Sequence, residues 1–575
     1  MRRLLFALAP LLLAAPALAQ NRLPVTGLPP TDTVVDAIFA IPDDQIQVMK
    51  HLDELANGIG PRLTSSQNLT EACEWAADRF REFGLENVHL VEWGTFPVGF
   101  DRVHKKGRMI SPRKVELDFT TNSWSPGTKG SVTGRAVVCP QTDEELTAAL
   151  ASLPGAWLLV AGNGPIFDQE GDGFRERLGR ACDQAGIAGM LRPSRSDELV
   201  HTGGNYNVDP AKLPTRVSIS LRRDQFAELR TRAVAGENVQ LEFDIAQTFT
   251  PGPIPLYNVI GEIPGTDKAS EMLIFGGHLD SWDGARGTQD NGTGTCTTLE
   301  AARILVQALN EQGLRPRRTI RFMLWSGEEQ GLLGSRAYVE QHQDELPNIS
   351  AVIVHDGGTN ACSGIQASPA LRPMFAEVFA PIISHTADNA DEDLRFRIVE
   401  VDRLPVGVGS DHDTYLTYGV PGIFWDQRGK TSYGYIHHTQ HDLYSEANAA
   451  YEIYTSRIVA SAAWRLSNTE TMVPRDDLTS GEGRAPKRRM GIALGDDGVT
   501  AMEVPAEGLA AKAGMKAGDR IVSIGGKEVS NQQTLREALN AEGERKLVVW
   551  QRGTEKMAAW FDWEKKTVET AAVPR

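Results

Sequence analysis

The chain has 575 residues, and its 41% hydrophobic and 23% charged content is typical of a soluble protein with several globular domains. The formal net charge of −16 argues against nucleic acid as a partner, because phosphate binding needs basic surfaces. The five cysteines are far apart and form no CxxC pair. They argue against a cysteine zinc site and against a dense disulfide scaffold, and leave a single disulfide open.

The first nineteen residues, MRRLLFALAPLLLAAPALA, combine two arginines, an apolar run and a small-residue ending. This pattern predicts a secretory signal peptide over residues 1–19, cleaved before Gln20, after which the net charge is −18. A membrane anchor is the alternative, but the apolar run is short for a bilayer span. No other long apolar stretch follows. We therefore expect an exported protein, periplasmic or extracellular, whose mature form has no membrane span.

Residues 34–100 are predicted to be mostly helical, because DDQIQVMKHLDELANGI and NLTEACEWAADRFREFG carry apolar residues three and four positions apart. The following segment VHLVEWGTF is predicted to be a strand. Residues from about 125 to 247 differ in character. Short apolar runs such as GSVTGRAVVC, GAWLLVAGNG and IAGMLRPS are bounded by glycine, and RERLGRACDQAG is helical. This pattern indicates a compact module inserted into a larger domain.

From residue 248 onward, strand-like and helix-like segments alternate. The apolar runs MLIFGGHLD, TIRFMLWSG, ISAVIVHDGG and VPGIFWDQ are separated by helical patterns, among them GTCTTLEAARILVQALNEQG, LGSRAYVEQHQDEL and ALRPMFAEVFAPIISHT. Continuous apolar strands between helices predict a buried, largely parallel sheet. In such sheets the chemistry lies at the carboxyl ends of the strands.

The polar segment PRDDLTSGEGRAPKRR, residues 474–489, is predicted to be a linker. About eighty residues follow it with a pattern of their own, including AAKAGMKAGDRIVSIGGKEVS, NQQTLREALNAEG, KLVVWQR and KMAAWFDW. This length is sufficient for one small β-rich domain with its own core.

Residue types that bind metals follow several strands of the predicted parallel sheet. The segments GGHLDSWDGARGTQDNGTG, WSGEEQG, VIVHDGG and YIHHTQHD place histidines and carboxylates where loops would face one crevice: His278, Asp280, Asp283, Asp290, Glu328, Glu329, His355, Asp356, His437, His438 and His441. A mixture of histidine and carboxylate without cysteine suits catalytic zinc. A lone buried histidine is more often a core residue, and adjacent acids are usually solvated. Four such loops at successive strand ends are much harder to obtain by accident.

The motifs HLDS, DNGTG, EEQGLLGS, HDGG and HHTQHD, in this order, resemble those of the di-zinc exopeptidase family of bacterial leucyl-type aminopeptidases and plasma glutamate carboxypeptidase. The resemblance covers roughly residues 34–115 and 248–468, and the early segment NGIGPRLTSS shares it. It implies an α/β fold with a three-layer, mostly parallel sheet of the zinc-exopeptidase (phosphorylase/hydrolase-like) type. The catalytic domain would then comprise residues 20–124 and 248–470.

The resemblance also implies a site with two Zn²⁺ ions. Asp290 would bridge them, His278 and Asp356 would complete one ion, and Glu329 and His438 the other. Asp280 would accept the second ring N–H of a ligand histidine; capping a turn is its alternative role. A cis peptide bond is expected between Asp290 and Asn291.

Glu328 resembles the general base of the family, which takes a proton from the water held between the metals and passes it to the leaving amine. Side chains alternate in direction at a strand end, so Glu329 would face a zinc ion while Glu328 faces the water.

The chain departs from the family at His437, since many relatives have tyrosine immediately before the last ligand histidine. The group that polarises the substrate carbonyl is therefore open between His437, Tyr433 and Tyr435. The loop VGSDHDTYLTYGVPG resembles a family loop near the substrate. It makes Ser410, Asp411 and His412 candidates for substrate contacts or for support of the metal site, with capping of a turn as the alternative.

Two further modules resemble known types. Residues 125–247 resemble a protease-associated domain, on GRAVVC, GAWLLVAGNG and CDQAGIAGMLRPS, and would shape the mouth of the active site. After a linker over residues 471–488, residues 489–570 resemble a PDZ domain, on GLAAKAGMKAGDRIVSIGGKEVSNQQTLREAL. Such domains bind an extended peptide carboxyl terminus by strand addition, and RRMGIAL would supply the carboxylate loop. Docking to its own catalytic domain is the alternative.

The resulting hypothesis is a secreted or periplasmic zinc exopeptidase acting on peptides, with an aminopeptidase favoured over a carboxypeptidase or a dipeptidase. An acidic pocket for a free amine would favour the first, and an arginine cluster for a carboxylate the others. Two remoter alternatives are an inactive receptor-like binding protein and a single-zinc enzyme of acyl transfer or cyclisation. Both predict lost ligand positions, whereas all five are present here.

Overall fold

The computed structural model describes most of the chain, namely residues 26–161, 173–204, 208–476, 478–479, 488, 490–494, 499–504, 508–530, 534–535, 538–539, 541 and 543–573. The predicted signal peptide at residues 1–19 lies outside the described residues. The described helices are α1 Thr33–Ala40, α2 Val48–Asp53, α3 Gln67–Glu82, α4 Asp143–Ala149, α5 Phe174–Ala185, α6 Arg223–Val234, α7 Thr293–Gln312, α8 Leu333–Gln341, α9 Arg372–Val378, α10 Ala380–Thr386, α11 Asp411–Thr417, α12 Tyr433–Ile436, α13 Ala449–Ser467 and α14 Leu509–Lys512.

The strands form one large sheet and two small ones. Their bounds are β1 Glu86–Ser111, β2 Val115–Glu116, β3 Phe119–Thr121, β4 Val132–Val138, β5 Trp157–Leu159, β6 Gly189–Pro193, β7 Ser218–Leu221, β8 Gln240–Ile263, β9 Lys268–His278, β10 Arg318–Trp325, β11 Ile349–Val354, β12 Ala361–Ala367, β13 Arg397–Glu400, β14 Gly422–Arg428, β15 Ala493–Leu494, β16 Ala501–Glu503, β17 Arg520–Ile524, β18 Lys527–Glu528, β19 Arg545–Arg552, β20 Glu555–Asp562 and β21 Thr567–Ala571. The large sheet has the order β13-β12-β14-β11-β9-β10-β8-β4-β5-β6-β7-β3, and β1 pairs with β8.

The centre of the large sheet is parallel and buried, as the apolar runs predict. Strands β10, β9, β11 and β14 pair in parallel, and every residue of β10 and β11 is buried. Helices α7 and α13 pack on one face, while α8 and α11 pack together on the other. This three-layer arrangement confirms the predicted fold class, and it covers both sheet faces as parallel sheets require.

A long antiparallel ribbon connects the region of the parallel sheet to the insert. That region is here called the catalytic part, because the motif resemblance predicts it to be the catalytic domain. β8 pairs with β10 at its carboxyl end and with β4 at its amino end, and β1 follows it along most of its length. Strands β4, β5, β6 and β7 then form a parallel set with a separate apolar core. The predicted domain boundary at residue 125 stays a prediction; β3, at Phe119–Thr121, pairs with β7 and so also belongs to this sheet.

Three local features differ from the sequence-based expectation. The helix predicted over ALRPMFAEVFAPIISHT is divided into α9 and α10, because Pro381 has no N–H to continue the ladder. The predicted strand VHLVEWGTF is part of the much longer β1. Helix α13, the edge strand β13 and its neighbour β12 were not predicted at all, although α13 is almost entirely buried.

The carboxyl-terminal part forms its own β-rich unit. Its sheet has the order β18-β17-β19-β20-β21, and Trp550 and Phe561 belong to its separate core. Within the predicted linker, Leu478 is buried in the core around the large sheet, and its carbonyl accepts a hydrogen bond from the Leu404 N–H at 2.8 Å. In the part of the chain that the structure describes, no helix is long and apolar enough to cross a membrane.

Candidate functional site

The sheet brings the histidines and carboxylates of separate loops to one edge. His278 is the last residue of β9, Glu328 and Glu329 follow β10, and Asp356 follows β11. Because β10, β9 and β11 are adjacent and parallel, their carboxyl ends meet at the same edge. Asp290, just before α7, and His438, just after α12, complete the cluster.

Asp290 lies between the two imidazoles of the cluster. His278 Nε2 is 3.3 Å from Asp290 Oδ1 and 3.1 Å from Asp356 Oδ1. His438 Nε2 is 3.1 Å from Asp290 Oδ2 and 2.9 Å from Glu329 Oε2. The five side chains thus form two half-sites that share one carboxylate.

The backbone around Asp290 is irregular and held in place by side chains. The Asp290–Asn291 peptide bond is cis, as the motif resemblance indicates, and both residues have non-helical backbone angles. Asn291 Nδ2 donates to the carbonyl of His355 at 2.8 Å, and the Gln289 N–H donates to Asp442 Oδ1 at 2.6 Å. These contacts fix the direction of the Asp290 carboxylate without using its own oxygens.

Asp280 contacts the glutamate pair more closely than the histidine ring. Its carboxylate accepts the backbone N–H groups of Glu328 and Glu329, each at 3.2 Å, and the hydroxyl of Thr64 at 3.1 Å. Its Oδ1 is 3.6 Å from His278 Nδ1, beyond hydrogen-bond distance, and the nearer partner of that nitrogen is the Asp280 carbonyl at 3.1 Å. Asp280 therefore positions the backbone of the glutamate pair, whereas the sequence suggested a contact with the imidazole.

The two glutamates have different surroundings. Glu329 is buried, and its Oε1 accepts the backbone N–H of Trp282 at 3.2 Å, while its Oε2 faces His438. Burial, with the charge of Asp290, raises the pKa of Glu329 to about 7. Glu328 is half-buried. Desolvation raises its pKa well above the usual value although His278 opposes the shift, and the charges of Asp356 and Asp411 add to it.

The histidines and Asp290 stabilise each other's charged forms. Burial would raise the pKa of Asp290, but the imidazoles of His278 and His438 hold it well below its usual range. Burial would likewise lower the pKa of His278, yet the charges of Asp356 and Glu328 raise it well above the ordinary value. The cluster as a whole is acidic, and it attracts positive charge.

The donor set fits a pair of metal ions. Two triads have ligand atoms within 4.8 Å of one another, His278 with Asp290 and Asp356, and Asp290 with His437 and His438. Asp290 Oδ2 is buried and lies 3.1 Å from His438 Nε2 and 3.7 Å from His437 Nε2, so a cation at this oxygen would be within reach of imidazole ligands. Imidazole and carboxylate donors without thiolate are the ligands of catalytic zinc sites.

His437, Tyr433 and Tyr435 occupy different places around the cluster. His437 stacks on His438 with ring centroids 3.8 Å apart, and its Nε2 is 3.7 Å from Asp290 Oδ2. Tyr433 stacks on His437, and burial together with the charges of Asp290 and Asp356 raises its pKa well above the usual value. Tyr435 is exposed and stacks on His441 instead. Among the three, His437 and Tyr433 lie beside the ligand carboxylates.

Asp411 and His412 are buried polar residues at the start of α11. The carboxylate oxygens of Asp411, the ring nitrogens of His412 and the hydroxyl of Ser410 make no hydrogen bond among the described residues, although His412 Nε2 lies 3.6 Å from Asp413 Oδ1. Burial raises the pKa of Asp411 to about 7 and lowers that of His412. A carboxylate is costly to bury without hydrogen bonds, and the charge of Asp411 acts on Glu328, so Asp411 is a candidate to contact a polar ligand.

Several supporting residues were missed at the sequence level. Arg62 is buried and donates from Nε to the carbonyl of Leu279 and from Nη2 to that of Gly287, both at 2.6 Å. The buried Asp442 accepts from the amide next to Asp290. Arg62 lies in the segment NGIGPRLTSS and Asp442 in YIHHTQHD, so both motifs contained them. Their roles depend on contacts across more than 150 residues, which spacing does not reveal.

Comparisons with known proteins identify relatives for two parts of the chain. Residues 258–463 match the model of Peptidase family M28, and residues 500–552 match that of a PDZ domain. Carboxypeptidase Q from Xenopus laevis is 28% identical over 434 residues, which are 72% of this chain and 85% of that protein. Carboxypeptidase Q from Homo sapiens is 27% identical over 430 residues, 73% of this chain and 85% of that protein.

One solved structure has a closely related fold. The crystal structure of a Peptidase M28 precursor from Shewanella amazonensis SB2B superposes with a TM-score of 0.54 at 23% identity, covering 77% of this chain and 97% of that one. The fold of the large sheet thus has a counterpart of known structure. Residues 258–463 are thus similar to peptidase family M28 and residues 500–552 to a PDZ domain, as the motifs indicate.

Proposed function

We propose that this chain is an exported zinc aminopeptidase, which removes single residues from the amino termini of peptides. The match of residues 258–463 to the model of Peptidase family M28 supports peptide hydrolysis. The observation that carries the proposal is the convergence of two half-sites on Asp290, with Glu328 and the unpaired carboxylate of Asp411 beside them. The contacts of these groups support a distinct role for each.

The five clustered side chains would hold two zinc ions. His278 and Asp356 would bind one ion, Glu329 and His438 the other, and Asp290 would contribute one oxygen to each. When bound, zinc supplies Lewis-acid polarisation of a carbonyl and lowers the pKa of water. Asp280 would maintain the geometry through the backbone of the glutamate pair.

Glu328 would act as the general base. It is half-buried at the edge of the cluster, and its carboxylate is not held by an arginine or lysine among the described ion pairs. Desolvation and the neighbouring carboxylates raise its pKa, which strengthens the ionised carboxylate as a proton acceptor. It would accept a proton from the attacking water and deliver it to the leaving amine.

Asp411 would bind the free α-amine of the substrate. Its carboxylate is buried without a hydrogen-bond partner and interacts electrostatically with Glu328. Two buried arginines near the cluster are already engaged. Arg62 donates four hydrogen bonds to backbone carbonyls, and Arg102 contacts Asp283 and Thr121. The carboxylate of Asp411 therefore favours an amine as its ligand.

Tyr433 and His437 would polarise the substrate carbonyl. Both lie beside Asp290, whereas Tyr435 stacks outward on His441. His437 is 45% exposed at its side chain, so it can reach a bound peptide. The neutral ring of His412, whose pKa is lowered by burial, would contact the substrate near Asp411.

A carboxypeptidase or dipeptidase is the second candidate, because the similar curated proteins carry the name Carboxypeptidase Q. A receptor-like protein without activity is disfavoured, since every ligand position and the base are present. We also propose that residues 125–247 are a protease-associated domain, and that the PDZ domain binds a peptide carboxyl terminus at residues 488–494. Export follows from the signal-peptide pattern at residues 1–19.

A panel of peptides with free or blocked ends tests the substrate class. The zinc-loaded protein is expected to cleave peptides with a free amine, including those with an amidated carboxyl end, and to spare amino-acetylated peptides. Release of the last residue from acetylated peptides would instead support a carboxypeptidase, and cleavage of dipeptides alone a dipeptidase. Asp411→Asn is expected to raise KM for free-amine peptides by about 10- to 100-fold, the value of a lost charge-assisted hydrogen bond.

A further inference from the structure

A segment of the insert pairs with the backbone of a zinc-ligand candidate. Residues 198–204, here called the strap, lie between β6 and β7 of the insert. His201 forms an antiparallel bridge with Thr439. The Thr202 N–H donates to the carbonyl of His438 at 2.8 Å, and the Gln440 N–H donates to that of Val200 at 3.0 Å.

His438 needs such support because its own backbone is not part of a regular element. It follows the four-residue helix α12 and has a φ of 54°, in the left-handed region that side-chain-bearing residues seldom adopt. The two hydrogen bonds of the strap lie on either side of the His201–Thr439 bridge, one at the carbonyl of His438 and one at the N–H of Gln440. Gln440 strengthens the pairing, since its Oε1 accepts from Val200 at 2.6 Å and its Nε2 donates to the carbonyl of Glu198 at 2.9 Å.

The other side of the strap is connected to the loop after His278. The carbonyl of Gly203 accepts from the Ser123 N–H at 2.9 Å, and the Ser123 hydroxyl donates to Asp283 Oδ1 at 2.6 Å. Arg102 fixes the same aspartate from Nε at 3.0 Å. Trp282, the residue before Asp283, donates its backbone N–H to Glu329 Oε1. The strap thus contacts both segments that hold Glu329 and His438.

The strap also fits tightly over this loop. A Cβ atom at Gly284 would lie 2.0 Å from Cγ2 and 2.6 Å from Cβ of Thr202, so any larger residue would displace the strap. Trp282 packs edge-on against His438, with ring centroids 6.2 Å apart. Among the described contacts, the strap makes none with His278 or Asp356, the other half-site.

We propose that the strap of the insert is a positioning element for the Glu329–His438 half-site, so that affinity for the second zinc ion depends on the insert. The first ion, at His278 and Asp356, does not depend on it. This inference rests on the proposed two-zinc function. Thr202, Gly284 and Gln440 are positioning residues, because they act through His438 and touch no substrate.

Zinc content against buffered free zinc, in the full-length protein, tests this dependence. Gly284→Ala is expected to keep one ion at wild-type affinity and to bind the second about 10- to 100-fold more weakly, the usual effect of losing support around a ligand. Adding Thr202→Gly removes the atoms that clash but keeps the N–H that contacts His438. The double variant should therefore bind both ions again, and Thr202→Gly alone should bind both.

Gln440→Ala is the second probe, and does not create a clash in the fold. It should weaken the second ion in the same direction but less strongly. If Gly284→Ala and Gln440→Ala bind both ions like the wild type, or lose both ions equally, the strap does not position this half-site. If the wild type binds a single ion, the two-zinc function fails and the inference falls with it. Failure of the double variant to recover the second ion would also overturn it.

Discussion

Acidic residues on the surface of the insert and at the candidate active site differ in what compensates their charge. The buried acidic residues of that site, among them Asp290, Glu329 and Asp411, are here called the floor. On the insert, Glu228 contacts Arg113 at 2.7 Å and Arg232 at 2.9 Å, and its pKa is lowered, chiefly by the hydrogen bond from Arg113. At the floor, burial raises the pKa of Glu329 and Asp411, each to about 7. Arginines compensate the charge in the first region, whereas in the second Glu329 faces only the imidazole of His438, which does not offset its burial.

This difference explains why two adjacent glutamates occupy the mouth of a buried strand. A buried carboxylate without a cation is destabilising unless a charge from outside joins it. The arginines near the floor are held by carbonyls and by Asp283, so they leave the cluster acidic. A pair of zinc ions would supply the missing positive charge, which makes the apo floor unstable and the loaded floor reactive.

The largest expected effect comes from Glu328→Gln. Removing the base should lower kcat/KM by about 10²- to 10⁴-fold, while zinc content stays at the wild-type value. Steady-state kinetics and metal analysis on the same preparation measure both. Glu228→Gln on the insert is the matched control and should leave activity unchanged. Zinc loss from Glu328→Gln would make this glutamate a ligand and not a base.

Removal of the metal should make stability depend on pH. In the apo protein the folded-state pKa values of Glu329 and Asp411 lie above their unfolded values near 4. The stability that these two groups contribute is therefore fully present below about pH 4 and is lost as the pH rises through 7. Each group contributes on the order of 3 kcal/mol of destabilisation by pH 8. Thermal unfolding of apo and zinc-loaded protein from pH 5 to pH 8 measures it. A parallel decline in both forms would contradict the account.

Glu329→Gln should weaken the binding of one ion and leave the other in place. Its Oε2 is 2.9 Å from His438 Nε2, whereas the His278 half-site contains no atom of it. We expect affinity for the second ion to fall by at least about 10- to 100-fold. Chelator competition against buffered zinc measures this, and unchanged affinity for both ions would remove Glu329 from the ligand set.

The smallest expected effect comes from the ion pair between Arg113 and the insert residue Glu228. Arg113→Ala breaks an exposed ion pair with Glu228, and such pairs contribute less than about 1 kcal/mol. Denaturant unfolding should show a change in free energy within that limit, with activity and zinc content intact. A large loss of activity would mean that the insert surface, like the strap, acts on the catalytic floor.

The site and the fold were predictable from sequence to different extents. Strand-end placement of His278, Glu329 and Asp356 follows from apolar runs that end at polar residues, since adjacent parallel strands share one edge. The hydrogen bonds of Asp280 with two backbone amides did not follow, because they depend on the path of the chain after β10. Helix α13 escaped prediction because it is buried all round and has no amphipathic period.

The contact between the strap and His438 is even harder to predict from the sequence. It joins residues more than 230 positions apart through backbone atoms, which carry no side-chain signature. The tight packing of Gly284 against Thr202 accompanies this contact, and that packing can be recognised only in the three-dimensional structure. The insert and the catalytic part therefore have separate sequence patterns, but hydrogen bonds of the strap connect them at the candidate site.

The central claim is that two metal ions share Asp290, one in each half-site. A crystal of the zinc-loaded protein, measured on both sides of the zinc absorption edge, tests it most directly. The account predicts two anomalous peaks, one among His278, Asp290 and Asp356, and one among Asp290, Glu329 and His438. A single peak, or a second peak held by His437 in place of Glu329, would contradict it.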